Sequence, residues 1–139
     1  MPTMTKKKSW LEKLNEKRQT QVKRIEIDFA DIPAGSNMLI PTPQIIDSYI
    51  NQIGYGKRIN LKIMRKDLAL ANHADYTCPV TTGIFLRIVA EANYEKLLQG
   101  MNATEITPFW RVIEANSPLA KKLTFGQEFI LKQLENEEN

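Results

Sequence analysis

Apolar residues recur at helical spacing over most of this chain and at strand spacing only near its start. Trp10, Leu11 and Leu14 fall on one side of a segment from Ser9 to about Gln19, which predicts a short amphipathic helix. Ile25, Ile27 and Phe29 then alternate with Glu26 and Asp28, the period of a half-buried strand. A loop over 31–37 holds Pro33 and Gly35, and Met38-Leu39-Ile40 is a short apolar run that Pro41 stops. Thr42 and Pro43 read as an N-cap and a first helical residue. Behind them Ile46, Tyr49, Ile50 and Ile53 predict a helix over about 43–53, closed by Gly54-Tyr55-Gly56. A second helix over roughly 61–71 places Leu61, Met64, Leu68 and Ala71 on one side, and 72–76 reads as a turn.

Thr77 or Cys78 caps a third helix that carries Pro79 in its first turn. At about 100° per residue, Val80, Ile84, Phe85, Ile88, Val89 and Ala92 gather on one broad face. The opposite face is then Pro79, Thr82, Gly83, Leu86, Arg87 and Ala90, small or uncharged except for Arg87. Glycine inside a helix costs on the order of 1 kcal/mol relative to alanine. Gly83 therefore implies a close approach, by a neighbouring helix or by another molecule. A short helix, a turn and a helix with a bare face make a helix-turn-helix arrangement. Ile106 to Ile113 reads as extended and largely buried. A last helix is expected from about residue 124, with Thr124 capping it, Gln127 at capping-box spacing, and Phe125, Phe129, Leu131 and Leu134 as its apolar contacts. The fold expected is mainly α with a small β component, divided into a basic N-terminal extension (1–41) and a helical domain (42–139).

Composition narrows the function classes. Of 139 residues, 42% are hydrophobic and 25% charged, which excludes an unfolded chain. No apolar run approaches the roughly 18 residues of a membrane-crossing helix, and the Lys6-Lys7-Lys8 run leads into Ser9, Trp10, Leu11 and Glu12 rather than an apolar signal core. A cytoplasmic location is the expectation. Cys78 and His73 are the only residues of their kinds, too few for a closed zinc site or an intrachain disulfide. No metal or cofactor is expected. A thiol at a helix N-terminus has a lowered pKa, so a Cys78-dependent enzyme stays among the readings, beside a capping or buried cysteine.

Charge is segregated. Residues 1–24 hold eight Lys/Arg against Glu12 and Glu16, within a chain of net charge +3. Lys57, Arg58, Lys62, Arg65 and Lys66 meet no acid until Asp67, whereas Glu135, Glu137 and Glu138 crowd the end. Such segregation suits an anionic partner, duplex DNA above all; a solvated helix face and tail is the plainer explanation.

Pro108-Phe109-Trp110-Arg111-Val112 resembles the Pro-Cys-His-Arg-Val signature of the alkylguanine-DNA alkyltransferase family, with Phe109 at the acceptor thiol and Trp110 at the imidazole. The order of segments from Thr42 onward is similar to that family's DNA-binding half: the Pro43-Gln44-Ile45-Ile46-Asp47 helix, the Gly56-Lys57 loop, Asp67-Leu68-Ala69, and the Thr81-Thr82-Gly83 helix. The chain most resembles the alkyltransferase-like group, which lacks the acceptor cysteine. The resemblance implies a winged helix-turn-helix that binds alkylated DNA without repairing it and hands lesions to repair proteins. It also implies a supporting role for Arg111 and a strand shaped by Pro108. A benzene ring cannot accept an alkyl group, and an indole N–H only donates. Phe109 and Trp110 then either line a base-sized pocket or simply pack the core. The chain departs from the family where Val80 or Thr81 replaces the arginine that props open the duplex, and where Met64 or Arg65 replaces a tyrosine.

The DNA contacts implied are Lys57, Arg58, Lys62, Arg65, Lys66, the N-terminal lysines and Arg87 for phosphates, with Thr81, Thr82, Gly83 and Leu86 facing the groove. The rival reading is a protein-interaction module, monomeric or weakly dimeric, that kept the fold and lost DNA.

Overall fold

A computed structural model describes residues 7–138; Lys6, counted above among the N-terminal cations, lies outside them. The described residues are mainly helical with one small sheet. In chain order the elements are α1 (Trp10–Leu14), β1 (Gln21–Arg24), β2 (Asn37–Ile40), α2 (Pro43–Asn51), α3 (Leu61–Ala71), β3 (Tyr76–Thr77), α4 (Pro79–Leu98), α5 (Pro118–Lys122) and α6 (Glu128–Glu137). The sheet runs β1-β2-β3, antiparallel between β1 and β2 and parallel between β2 and β3.

Local signals set several of these boundaries. Thr42 accepts from the Ile45 N–H and Pro43 opens α2, and Asn60 accepts from the Ile63 N–H to open α3. At α1, Ser9 and Glu12 form a reciprocal capping box, while Glu95 of α4 accepts from the Trp10 and Leu11 N–H groups. A carboxylate from a distant element thus completes the first helix, which ends at Leu14 instead of running to Gln19.

α4 is the axle. Both α1 and α2 pack against it, and from Phe85 to Asn93 only Arg87 escapes burial. A helix covered on several sides has no single polar face. This overturns the two-face reading. Thr82, Leu86 and Ala90 are buried, while Val80 and Ile84 are 53% and 54% exposed. Thr82 tolerates burial because its hydroxyl donates to the Cys78 carbonyl at 2.6 Å.

Other expectations are corrected too. The strand lies at 21–24, not 25–29: Ile27 is 76% exposed, and the chain turns through Ala30 at a left-handed φ of 53°. Residues 106–113 are buried, but Phe109–Arg111 form a single turn of 3-10 helix, so Pro108 shapes no strand. Thr124 does not cap the last helix, because its hydroxyl donates to the buried Glu91 at 2.5 Å. That helix starts at Glu128, where Ile130 is buried and Leu131 is exposed. All three strands precede α4. Among the described residues none follows it, so the β wing of the expected arrangement is not found there.

The line drawn at residue 41 crosses the sheet, since β2 pairs with β1 on one side and β3 on the other. Leu14 and Leu39 belong to the same core cluster as Met64, Leu86 and Ile130. Among the described residues no helix is long and apolar enough to cross a membrane.

Candidate functional site

The exposed stripe of α4 forms part of an open groove of about 940 Å³. Val80, Gly83 and Ile84 lie in it, with Asn60, Leu61 and Lys62 from the start of α3. The segment from Val112 to Leu119, which follows the Pro108–Val112 motif, lines it as well. Trp10 and Lys13 of α1 and Lys122 of α5 complete the lining. Four cations (Lys13, Lys62, Arg87 and Lys122) share it with one carboxylate, Glu114. Small-ligand clefts measure roughly 300–1,000 Å³, so this one is roomy for a single base.

Two cations are held by one indole. Lys13 Nζ lies 4.3 Å from the Trp10 ring centroid and the Arg87 guanidinium carbon 5.2 Å from it. Each such contact is worth about 0.5–1 kcal/mol at an exposed site. Arg87 Nε also lies 3.6 Å from Glu91, too long for a hydrogen bond, and has no other partner. That Nε is buried beside Glu91, which also accepts from the Thr124 N–H and hydroxyl.

Gly83 has open space where a side chain would begin: an added Cβ meets nothing within 4 Å. Packing against a neighbouring helix therefore does not account for this glycine.

The remaining predicted residues separate into exposed and engaged groups. Lys57, Arg58, Lys62 and Lys66 are exposed, with Arg58 paired to Glu138 at 3.1 Å. Arg65 is not available to a phosphate. It donates to the Thr77 carbonyl and forks onto Asp31 at 2.8 and 2.9 Å, and the fork holds the Asp31 carboxyl below its ordinary pKa. Thr81 is half-buried with an unpartnered hydroxyl, and Thr82 is buried outside the groove lining, contrary to the expected contact; Leu86 lines the groove but is 1% exposed.

Phe109 is fully buried against Trp110, Phe125 and Phe129, with ring centroids 5.3–5.7 Å apart, and Tyr94 joins the cluster through Phe125 and Phe129. The Trp110 N–H donates to Glu137 at 2.6 Å. Phe109 packs the core with Pro108 buried beside it, whereas Trp110, though buried, lines a second open groove of about 1010 Å³ together with Arg58 and Arg111. Arg111 is held by Glu137 and by the Ile53 carbonyl.

Cys78 precedes α4 but is buried with Ile32 and Met38, its N–H donating to the Leu39 carbonyl. His73 is exposed at a left-handed φ of 57°. Sequence reasoning missed Trp10, Lys13 and Lys122 as groove residues. Their one legible signal was the charge of α1 and of Lys121-Lys122, which gave no hint that the two segments meet. Neither a family model, nor a curated protein, nor a solved structure matches the chain.

Proposed function

We propose that this chain is a non-catalytic DNA-binding protein of the kind its sequence resembles, using α3, the 72–78 connection that carries β3, and α4 as its helix-turn-helix. The observation that carries the reading is the groove itself: an apolar floor on the exposed stripe of α4, ringed by four cations, with an uncovered glycine in the middle. Lys57 and Lys66 are exposed cations outside the groove lining. Phosphates bind such cations with release of counterions, and an unstacked or alkylated base has an apolar surface to rest on. The lack of transfer chemistry in this reading follows from the buried phenyl ring of Phe109 and the buried Cys78 thiol.

Titration of a labelled duplex at low salt tests it. Binding at micromolar protein that weakens steeply with salt is the expected result, and no shift at that concentration sinks the reading. An alkylguanine duplex is expected to bind more tightly than its plain counterpart; equal affinity reduces the function to general DNA binding. Intact-mass measurement after incubation should show no added alkyl group.

One observation favours a second reading. Val80 and Ile84 are more than half exposed side by side, which suits a protein partner or a second copy. A concentration-dependent dimer in sedimentation, lost on Ile84→Asp, would support that alternative.

A further inference from the structure

The outer edge of β1 lies apart from the residues of that groove, and its backbone is directional. Ile25 donates to the Ser36 carbonyl and accepts from the Gly35 N–H, so its backbone polar groups point toward the β2 side. Alternation along an antiparallel pair then turns Lys23 and Gln21 the same way, opposite Met38 and Ile40. The N–H and C=O groups of Val22 and Arg24 point outward, and β1 is the end strand of the sheet. On the far side of β2 the Asn37 and Leu39 carbonyls are taken by the Asp75 and Cys78 N–H groups, so that side is filled. All four residues of β1 are exposed.

We propose that this edge receives an extended acidic segment of a partner protein as a fourth strand. Such an addition gains its hydrogen bonds from the free edge and its selectivity from alternate side chains. Here Val22 and Arg24 share one face, and Gln21 and Lys23 the other. From Lys17 to Ile25 the chain carries Lys17, Arg18, Lys23 and Arg24 and no acid. Glu16 and Glu26 flank the stretch and pair with Arg18 at 2.8 Å and with the exposed Arg24 at 3.7 Å. That leaves Lys23 as the cation of the strand without an ion pair among the described residues. A glutamate opposite Lys23 or Arg24 forms a favourable cross-strand pair, whereas a like charge there is unfavourable. That rule also argues against a second copy. Self-pairing with Val22 opposite Arg24 sets Lys23 against Lys23, and self-pairing centred on Arg24 sets Arg24 against Arg24, the device by which edge strands resist joining their own kind.

The experiment is fluorescence anisotropy with a labelled peptide of alternating Glu and Val, in buffer free of nucleic acid, with an alternating Lys and Val peptide as control. The Glu-Val peptide is expected to bind and the control is not. Val22→Pro removes an outward N–H and no bond to β2, so it should abolish binding while the circular dichroism spectrum stays unchanged. If that variant unfolds, Lys23→Glu with Arg24→Glu decides: preference should shift from the acidic peptide to the basic one, with the acidic peptide weakened about tenfold. Lys62→Glu, which alters the groove, should leave peptide binding intact, so a failure of the DNA reading stays separate from a failure here. The proposal is overturned if the Glu-Val peptide does not bind, or if it binds Val22→Pro as tightly as the original chain. It is equally overturned if the double charge variant loses duplex DNA but keeps the peptide, since the strand would then be a phosphate contact.

Discussion

Arg111 forks onto Glu137, with Nε 3.0 and 3.1 Å from the two carboxylate oxygens and Nη2 3.0 Å from one of them. Both side chains are nearly buried, at 12% and 7% exposure. Arg111 also donates to the Ile53 carbonyl, and Glu137 accepts from the Gly56 N–H at 3.0 Å. The pair therefore ties the end of α6 to the loop between α2 and α3. The arginine of the Pro108–Val112 motif works here as a structural clamp.

Removing one partner leaves the other buried and uncompensated. Glu137→Gln is expected to destabilise the fold by about 3–5 kcal/mol, read by urea unfolding. Burial alone would raise the Glu137 pKa, but hydrogen bonds from Arg111, Trp110 and Gly56 outweigh it and hold the carboxyl below its ordinary 4.5. The sign follows: its stabilisation is fully present above the unfolded value and is lost as pH falls through the lower, folded one. Asp31 contributes in the same direction through Arg65, weakly because it is largely exposed. Unfolding measured between neutral and acid pH should show a loss of stability that Glu137→Gln flattens. An unchanged slope would remove Glu137 from the account.

Arg65 and Lys62 look alike in sequence and should behave oppositely. Lys62→Ala should leave stability within about 0.5 kcal/mol and lower the salt slope of DNA binding by about 0.9. Arg65→Ala breaks the bonds to Asp31 and Thr77, so its main effect is expected in thermal unfolding. Equal losses of DNA affinity in both variants would contradict this division.

Cys78 should resist aromatic disulfide reagents in the native protein and react only as the chain unfolds, because its side chain is buried with Ile32 and Met38. The reagent's absorbance against urea should therefore track the unfolding curve. Rapid reaction without denaturant would return the thiol to the list of candidate catalytic groups.

Local chemistry was legible and tertiary coverage was not. Thr42 and Pro43 announce a helix start because the cap is satisfied within three residues, and the α3 boundaries at Leu61 and Ala71 match the spacing. α4 was misread because periodicity assumes one buried side, while α1 and α2 both cover it. Thr124 carries a capping signature that Glu91, 33 residues away, overrides. The basic cluster at 57–66 could be seen in sequence, but the bidentate bond from Arg65 to Asp31 could not. The groove rests on residues as distant as Trp10 and Lys122, so no local pattern could disclose it.

Leu86 and Ile84 make the corrected geometry of α4 measurable. Leu86 is 1% exposed, so Leu86→Asp buries an unpaired charge and is expected to unfold the protein at room temperature. Ile84 is more than half exposed, and Ile84→Asp should remain folded while repelling an anionic ligand from the groove. Circular dichroism of the two variants suffices: two folded proteins would restore the original outer face.

Gly83 permits a test in which stability and function move in opposite directions. Alanine in place of a helical glycine reduces the freedom of the unfolded chain, and here the new methyl group meets nothing within 4 Å. Gly83→Ala should therefore raise stability by about 0.5–1 kcal/mol. The same methyl stands on the groove floor between Val80 and Arg87, where an approaching duplex would touch backbone. DNA affinity should fall even as the melting temperature rises. A merely structural glycine gives no such pairing, since its loss would cost stability or change nothing. If Gly83→Ala melts higher and binds labelled duplex as tightly as before, contact at that position is refuted, and any DNA interface must lie along Lys57 to Lys66 alone.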